Sequence, residues 1–173
     1  MLFRSKVSRP NRESAAEILK VYLTNELPLD QALVAGEGGD KAKAVASLVE
    51  EVIEQIYKRT DENRLLSIRL RSGQSKVLYR GDLVSGAILS SVVQRAKEKA
   101  IDRMIQSGQL AGLTAKDLSD SVSEEFREGE MLPPDDAADE WLKLLDHHPE
   151  QVVGVSSFRR GRQTEERLVN QII

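Results

Sequence analysis

The strongest constraint on the fold is a long amphipathic segment at about Gly86 to Gln106. Its apolar residues recur every three or four positions, which places them on one face of an α-helix, while most of its charged residues lie off that face. Gly108 follows and is suited to end a helix. The segment therefore predicts a helix of about six turns that buries one side against other elements. The apolar residues are Ile88, Leu89, Val92, Val93, Ala96, Ala100, Ile101, Met104 and Ile105.

The same periodicity predicts helices nearer the N-terminus. Asn11 is placed to cap a helix that runs to about Leu23, and Asp40 is placed to cap another that runs to about Arg59. The glycine-rich stretch at 35–39 lies between them and is typical of a flexible loop, because glycine accepts many backbone angles.

Further helices are predicted after the long segment. Thr114 and Asp117 have the spacing of a capping box, which indicates a helix through about Phe126. Pro133 and Pro134 then break the chain. Charged residues make up 31% of the sequence and aromatic residues 4%, which suits amphipathic helices, so a mainly α fold is predicted. A last short helix is expected to carry Trp141, Leu144 and Leu145.

One segment breaks the helical pattern. Between Leu65 and Leu78, apolar and polar residues alternate on both sides of a turn that contains Gly73. This alternation predicts a β-hairpin within the helical domain. Gln151 to Phe158 has the pattern of a lone strand, and the polar residues at 159–173 are expected to form a mobile tail.

The sequence lacks the motifs that cleave ATP. A phosphate-binding P-loop needs the pattern G-x-x-x-x-G-K-[ST], and the glycines and lysines between Gly36 and Lys43 do not match it. No apolar strand ends in the carboxylate pair that would hold magnesium. The chain alone is therefore expected not to hydrolyse a nucleotide. Cysteine is absent, which excludes thiol catalysis, disulfides and zinc–thiolate sites.

The net charge of the chain bears on whether it binds nucleic acid or a membrane. The net charge of -3 argues against a chain-wide surface for nucleic acid or membrane, and no apolar run approaches the ~20 residues that span a bilayer. A local basic cluster at Arg159, Arg160 and Arg162 leaves open a third function, DNA binding with a steep salt dependence. The adjacent His147 and His148 point to different sides of any backbone, so they do not form a same-face metal pair.

Ser85, Gly86 and Ala87 open the long helix and are the candidate ligand-binding residues. Small residues at a helix N-terminus let the backbone approach a planar ligand, and the free N–H groups there suit a nucleotide. The alternative is simple helix capping, which is the more frequent role of such residues at this position.

The first residues differ in character from those that follow. Leu2-Phe3-Arg4-Ser5 matches one reading frame of a widely used sequencing-adapter end. One hypothesis is therefore an open reading frame that is cut at its 5′ side and joined to adapter sequence at residues 1–5. A natural N-terminus is the alternative, and the genomic sequence before Met1 would decide between them.

Several short runs of residues follow one another in an order found in a known family. Lys6 to Arg12 precedes Ala15 to Leu19, and Asp61 to Arg64 precedes the predicted hairpin. Later runs are Ser85 to Ile88, Arg95 to Lys97, Glu124 to Glu128, Leu132-Pro133, Asp139 to Trp141 and Gln151 to Phe158. In this order the runs resemble the lid of the proteasomal ATPases of actinobacteria, which are ring-forming AAA ATPases. Each run alone is common.

The resemblance implies a mainly α AAA ATPase lid with a small β-hairpin. The lid would span 11–130 with the hairpin at 65–78. The end of the large AAA subdomain would precede it at 1–10, and an extension at 131–158 and the tail at 159–173 would follow.

The resemblance also implies a function. The family forms a homohexameric unfoldase in the cytoplasm, recognises proteins tagged with a small ubiquitin-like modifier, and feeds them to a 20S proteasome. Its lid closes over the adenine side of ATP, with the residues that match Ser85, Gly86 and Ala87 lining the pocket, while the large subdomain holds Mg²⁺. The lid rotates as ATP turns over and passes that motion to the neighbouring subunit.

The C-terminus departs from this family. The family ends in Gly-Gln-Tyr-Leu, and the tyrosine and terminal carboxylate dock between proteasome α-subunits, whereas this chain ends in Asn-Gln-Ile-Ile. Gln171, Ile172 and Ile173 are therefore the candidate docking residues, and they lack the tyrosine hydroxyl. A relative that uses another protease, or works alone, fits this ending as well. An alternative of another class is a free-standing helical module that binds a partner through an exposed apolar face and binds no nucleotide.

Overall fold

A computed structural model describes residues 9–128, 152–159 and 162–168. These residues divide between two compact units, one at 9–56 and 84–125 and the other at 57–83 and from 126 onward. In chain order, the elements are α1 (Arg12–Tyr22), α2 (Gln31–Gly36), α3 (Lys41–Tyr57), β1 (Arg64–Leu70), β2 (Ser75–Tyr79), α4 (Arg80–Leu83), α5 (Gly86–Ser107), α6 (Ala115–Glu128), β3 (Val152–Arg159) and β4 (Arg162–Leu168). The predicted mainly α fold with a β-hairpin is confirmed.

The helices α1 and α3 begin at the predicted caps. Asn11 Oδ1 accepts a hydrogen bond from the Ser14 N–H at 2.8 Å. Asp40 Oδ1 accepts hydrogen bonds from the N–H groups of Ala42 at 3.0 Å and Lys43 at 3.2 Å. These oxygens satisfy first-turn donors that have no partner inside the helix, so two predicted starts are confirmed.

The segment between α1 and α3 contains a short helix that the sequence did not predict. A flexible loop was predicted at 35–39, but α2 extends to Gly36, and Asp30 caps it through a 3.0 Å bond from the Ala32 N–H. The turn comes immediately afterwards, at Gly38 (φ 69°) and Gly39 (φ 83°). Both lie in the left-handed region that glycine enters without steric cost.

Apolar faces of the helices form the core of the first unit, where α1 packs along α5. The predicted stripe of α5 is buried from Leu89 to Ala100. On the C-terminal side of Ala100 the predicted burial was wrong, because Ile101 and Ile105 are 50% and 71% exposed. Each residue turns the helix by ~100°, so Ile101 lies ~100° and Ile105 ~140° around the helix axis from Ala100, away from the buried face. Other core residues are Ala15, Leu19, Leu23, Ala44, Leu48, Val49, Val52, Ile53, Ile56, Leu113, Leu118 and Val122.

Two loops of the first unit meet through their backbones. Leu113 donates its N–H to the Pro28 carbonyl at 2.8 Å, and Asp30 donates its N–H to the Leu113 carbonyl at 3.0 Å. A Cβ on Gly112 would lie 2.1 Å from the Leu29 carbonyl carbon. A side chain cannot occupy that space, so the contact requires glycine.

The second unit contains an antiparallel sheet in the order β2-β1-β3-β4. The pair β1–β2 is the predicted hairpin, with Ile68 opposite Lys76 and a turn that ends at Gly73 (φ 84°). Both faces of β1 are covered, because Leu65, Leu66 and Ile68 are all buried.

The C-terminal strands differ from the sequence prediction. The segment from Gln151 was expected to be a lone strand, but β3 pairs with β1 on one side and with β4 on the other. β4 lies at 162–168, where a mobile polar tail was expected. Backbone hydrogen bonds join these strands, and such bonds need no apolar pattern in the sequence.

Several predicted features lie outside the described residues. They are the run from Lys6 to Ser8, the short helix with Trp141, Leu144 and Leu145, the two histidines, and the C-terminal residues Gln171, Ile172 and Ile173. Among the residues that are described, no helix is both long and apolar enough to cross a membrane.

Candidate nucleotide-contacting turn

The predicted site residues form the first turn of α5. Ser85 is the N-cap, with extended backbone angles (φ -136°, ψ 167°). Its Oγ accepts a hydrogen bond from the Ile88 N–H at 3.3 Å, and its carbonyl accepts one from the Leu89 N–H at 3.1 Å. Ser85 therefore caps the helix through both its side chain and its backbone, as the simpler alternative predicted.

Gly86 and Ala87 are the first helical residues, and their N–H groups are left without an intrahelical acceptor. Together with the positive end of the helix dipole, these two donors favour a ligand atom that carries partial or full negative charge.

The outer side of this turn is open within the described part of the chain. A Cβ built on Gly86 would meet no atom within 4 Å, and Ala87 is exposed. On either side of the turn, Val84 and Leu89 are fully buried, with 0% exposure. The turn thus lies between two buried residues, and no described atom comes within 4 Å of the position that a Gly86 side chain would take.

Three ion pairs and one hydrogen bond join α5 to α6 along one side of the first unit. On α5 the polar side chains recur every fourth residue, which aligns them on one face of the helix. Each contacts a carboxylate on α6. The pairs are Ser91 with Glu125, Arg95 with Glu125, Lys99 with Glu124 and Arg103 with Asp117. This row was missed by the sequence analysis, although the spacing of four between 91, 95, 99 and 103 is a signal that could have revealed it.

Asp117 is the centre of the most buried of these contacts. Its two oxygens accept hydrogen bonds from the Arg103 guanidinium at 2.7 and 2.8 Å, and Oδ2 also accepts from the Thr114 N–H and hydroxyl at 2.9 and 2.8 Å. In return, Thr114 Oγ1 accepts from the Asp117 N–H at 3.1 Å, which confirms the predicted capping box. Arg103 also donates to the Gly112 carbonyl at 2.8 Å, so one side chain holds the loop before α6.

The hydrogen bonds around Asp117 set its protonation. Burial alone would raise the pKa of the Asp117 carboxyl, but the hydrogen bonds from Arg103 and Thr114 outweigh it and hold the pKa below its ordinary value. The hydrogen bond with Asp117 likewise raises the pKa of Arg103. The pair is therefore fully charged near neutral pH. No group of three or more metal-binding side chains comes together in the part of the chain that the structure covers.

Comparison of the sequence with known protein families identifies the family of this chain. A family model described as "ARC, AAA+ ATPase lid domain" matches residues 10–172. The chain belongs to this family. The ARC lid is similar to part of the proteasome-associated ATPase of Saccharopolyspora erythraea, at 36% identity over 92% of the chain and 27% of that relative. The proteins of the same name from Mycobacterium avium and Nakamurella multipartita are 36% and 34% identical over 92% of the chain and 26% and 27% of their own length.

The resemblance predicted from the sequence is thus confirmed at the level of the family. The ARC lid spans only about a quarter of the length of these relatives. The match covers both described units, including α5 with the Ser85 turn and the four-stranded sheet.

Proposed function

We propose that this ARC lid is the nucleotide-sensing lid of an ATP-dependent protein-unfolding ring. The observation that carries the proposal is the first turn of α5, where the N–H groups of Gly86 and Ala87 have no acceptor within the helix and no described atom lies within 4 Å of a Cβ built on Gly86. The family match to an AAA+ ATPase lid supports ATP as the ligand. In that role the turn contacts the adenine side of ATP, and a second subdomain supplies the P-loop and Mg²⁺.

The helix α5 is suited to transmit nucleotide contact. It is continuous for 22 residues, so the Ser85 turn and Gly108 lie ~33 Å apart along one rod. The ion pairs to α6 and the Arg103–Asp117 contact join this rod to the rest of the first unit. A force applied at the Ser85 turn would therefore move α5 and α6 together, which is the property that a lid needs to pass motion to a neighbouring subunit.

The partners follow from the same proposal. The relatives are proteasome-associated ATPases by name, so we infer a homohexamer in the cytoplasm that works with a 20S proteasome. Recognition of tagged substrates belongs to domains other than this lid. Docking on the proteasome would involve Gln171, Ile172 and Ile173, which have no tyrosine at the penultimate position.

A chimeric ATPase tests the proposal. Residues 10–172 would replace the aligned lid of the Saccharopolyspora erythraea relative, and steady-state ATP hydrolysis would be measured. Gly86→Leu fills the open space beside the turn, whereas Gly36→Leu is the matched control, because a Cβ there also meets no atom within 4 Å. We expect Gly86→Leu to raise KM for ATP by about tenfold or more, equivalent to ~1.4 kcal/mol, and Gly36→Leu to leave KM within about twofold.

Two results would contradict the proposal. Equal KM values for the two leucine variants would show that the Gly86 turn does not contact the nucleotide. A folded, assembled chimera without ATPase, beside an active parent, would favour the alternative of a free-standing interaction module. In that alternative the exposed Ile101 and Ile105 would be part of the partner-binding face.

A further inference from the structure

The hairpin formed by β1 and β2 concentrates positive charge. Residues 64–80 contain five arginine and lysine residues and no aspartate or glutamate, although the chain as a whole has a net charge of -3. Arg69, Arg71 and Lys76 lie within the hairpin turn or on either side of it, and all three residues are exposed. Neither Arg71 nor Lys76 forms a salt bridge with any described residue. We name Arg69, Arg71 and Lys76 the basic hairpin end.

Strand β2 lies at one edge of the sheet, at the end of the order β2-β1-β3-β4. Its pairing with β1 decides which of its backbone groups face outward. Leu70 donates its N–H to the Gln74 carbonyl at 2.8 Å, and hydrogen-bonded pairs alternate with non-hydrogen-bonded pairs along an antiparallel ladder. The register therefore turns the N–H and carbonyl groups of Ser75 and Val77 away from β1.

The start of β2 is exposed to solvent. Ser75 and Lys76 are exposed, and Val77 is half-buried. Further along the strand, the Tyr79 N–H donates to Asp82 Oδ2 at 2.9 Å, so that donor already has a partner. An unpaired edge can take an additional strand, whose main-chain hydrogen bonds provide affinity. The positions left for an added strand are Ser75 and Val77, each with one donor and one acceptor.

We propose that the β2 edge at 75–77, beside the basic hairpin end, is a docking site for an extended acidic segment of a protein partner. Charge complementarity identifies this occupant, because a strand added to β2 would bring its carboxylates next to the three exposed cations. The other edge strand, β4, contains two acidic and two basic residues, so its sequence favours neither charge. The docking site lies within the second unit and is independent of the nucleotide role proposed for the Ser85 turn.

The same surface is a poorer match for nucleic acid. Tight binding of nucleic acid commonly uses about six to ten phosphate contacts, which exceeds what three exposed cations supply. Stacking of bases needs an exposed aromatic ring. The aromatic residue of this hairpin, Tyr79, is half-buried, and the Arg59 guanidinium carbon lies 5.0 Å from the centre of its ring. The outward backbone groups of β2 complement a polypeptide instead.

Fluorescence anisotropy on the 173-residue chain tests the docking site. The probe is a fluorescein-labelled peptide of about ten residues that alternates glutamate with threonine, because threonine favours an extended backbone. One control peptide alternates lysine with threonine. A second control is the acidic peptide with a methyl group on every backbone nitrogen, which keeps the charge but removes the N–H donors. We expect a Kd below about 200 µM for the acidic peptide at low salt, and binding at least about tenfold weaker for both controls.

A proline in β2 tests the strand addition from the side of the protein. Val77→Pro removes an outward N–H and keeps the pairing with β1, because proline is accepted where an edge N–H faces away from the sheet. It should weaken binding of the acidic peptide by about tenfold, whereas Val77→Thr, which keeps the N–H, should change the Kd by less than about twofold. Should Val77→Pro fail to fold by far-UV circular dichroism, Ser75→Pro is the second variant, with the same expected loss.

Charge reversal tests the choice of an acidic partner. Lys76→Glu should weaken binding of the acidic peptide by about fivefold and strengthen binding of the lysine peptide. Lys43→Glu is the matched control, because it makes the same change in charge on a side chain of α3 that is 71% exposed. It should leave both Kd values within about twofold of wild type.

Three results would overturn the inference. Equal binding of the acidic peptide and its methylated form would show attraction of charge without strand addition. Equal Kd values for the Val77→Pro and Val77→Thr chains would show that the β2 edge is not the contact. A single-stranded oligothymidine of about 20 nucleotides that binds more tightly than the acidic peptide, and loses that binding in Lys76→Glu, would assign the surface to nucleic acid.

Discussion

Replacement of Asp117 by asparagine removes one charge from the most connected side chain of the first unit. Asp117 is 5% exposed and accepts four hydrogen bonds, two from Arg103 and two from Thr114. Asparagine has the same shape but presents an NH2 group in place of one oxygen. Because donors approach both oxygens, either orientation of the amide places two donors against each other. The folded variant should therefore have at least one pair of hydrogen-bond donors facing each other at residue 117.

The expected loss follows from the contacts. A hydrogen bond to a charged group stabilises by ~1.5–3 kcal/mol, and breaking a buried ion pair costs ~3–5 kcal/mol. The Arg103 side chain is 39% exposed, so water can solvate it once the carboxylate is gone. We therefore expect Asp117→Asn to lower the free energy of unfolding by about 2–3 kcal/mol. Urea unfolding followed by far-UV circular dichroism should show a midpoint lower by about 1–2 M.

The pH dependence provides an independent check. The folded-state pKa of Asp117 is depressed, so its contribution is fully present above its unfolded pKa of ~3.9 and is lost as the pH falls through the lower folded value. The difference between wild type and Asp117→Asn should be constant between about pH 5 and pH 7 and shrink below about pH 4. Asp120→Asn is the control and should change stability by less than ~0.5 kcal/mol. A loss below ~0.5 kcal/mol in Asp117→Asn would refute the reasoning.

Three further predictions concern other parts of the chain. Gly112→Ala should lower the free energy of unfolding by more than ~2 kcal/mol, because a Cβ would meet the Leu29 backbone. Gly36→Ala is the control and should be neutral or stabilising, because a Cβ there lies in open space. Equal unfolding curves for the two variants would contradict this prediction. The purified chain should hydrolyse no ATP above background in a phosphate-release assay, since it has no P-loop. Ile172→Tyr in a hexamer built around this lid should strengthen stimulation of 20S peptide hydrolysis, because without the tyrosine hydroxyl its docking partner is left unsatisfied at a cost of ~1–3 kcal/mol per tail. Equal stimulation by both tails would show that the native tail already docks or that docking does not depend on this position.

Part of the candidate site could be read from the sequence. The small residues Ser85, Gly86 and Ala87 indicated a capped helix start, and the cap is present. No pattern in the sequence indicates that the space beside Gly86 is open, because that depends on which chain segments come near it. The hydrogen bond from Arg59 to Asp82 was also not predicted, since the two residues are more than twenty positions apart and no short motif relates them.

The sequence by itself determined much of the local structure of this protein, namely the helix caps and the hairpin turn. The caps at Asn11, Asp40 and Thr114 and the hairpin turn at Gly73 all depend on residues within about four positions of one another. At that range, side-chain chemistry and backbone preference act directly on the neighbouring backbone. The spacing of residue types was therefore sufficient to predict them.

Only the tertiary structure decided how distant segments join. Leu66 pairs with Ser157 in the sheet, and Gly112 lies against Leu29, yet neither pairing has a pattern in the sequence. Both are made by backbone N–H and carbonyl groups, which every residue except proline carries in the same form. Such groups specify that a partner is needed but not which one, so the choice was made by the packing of the whole chain.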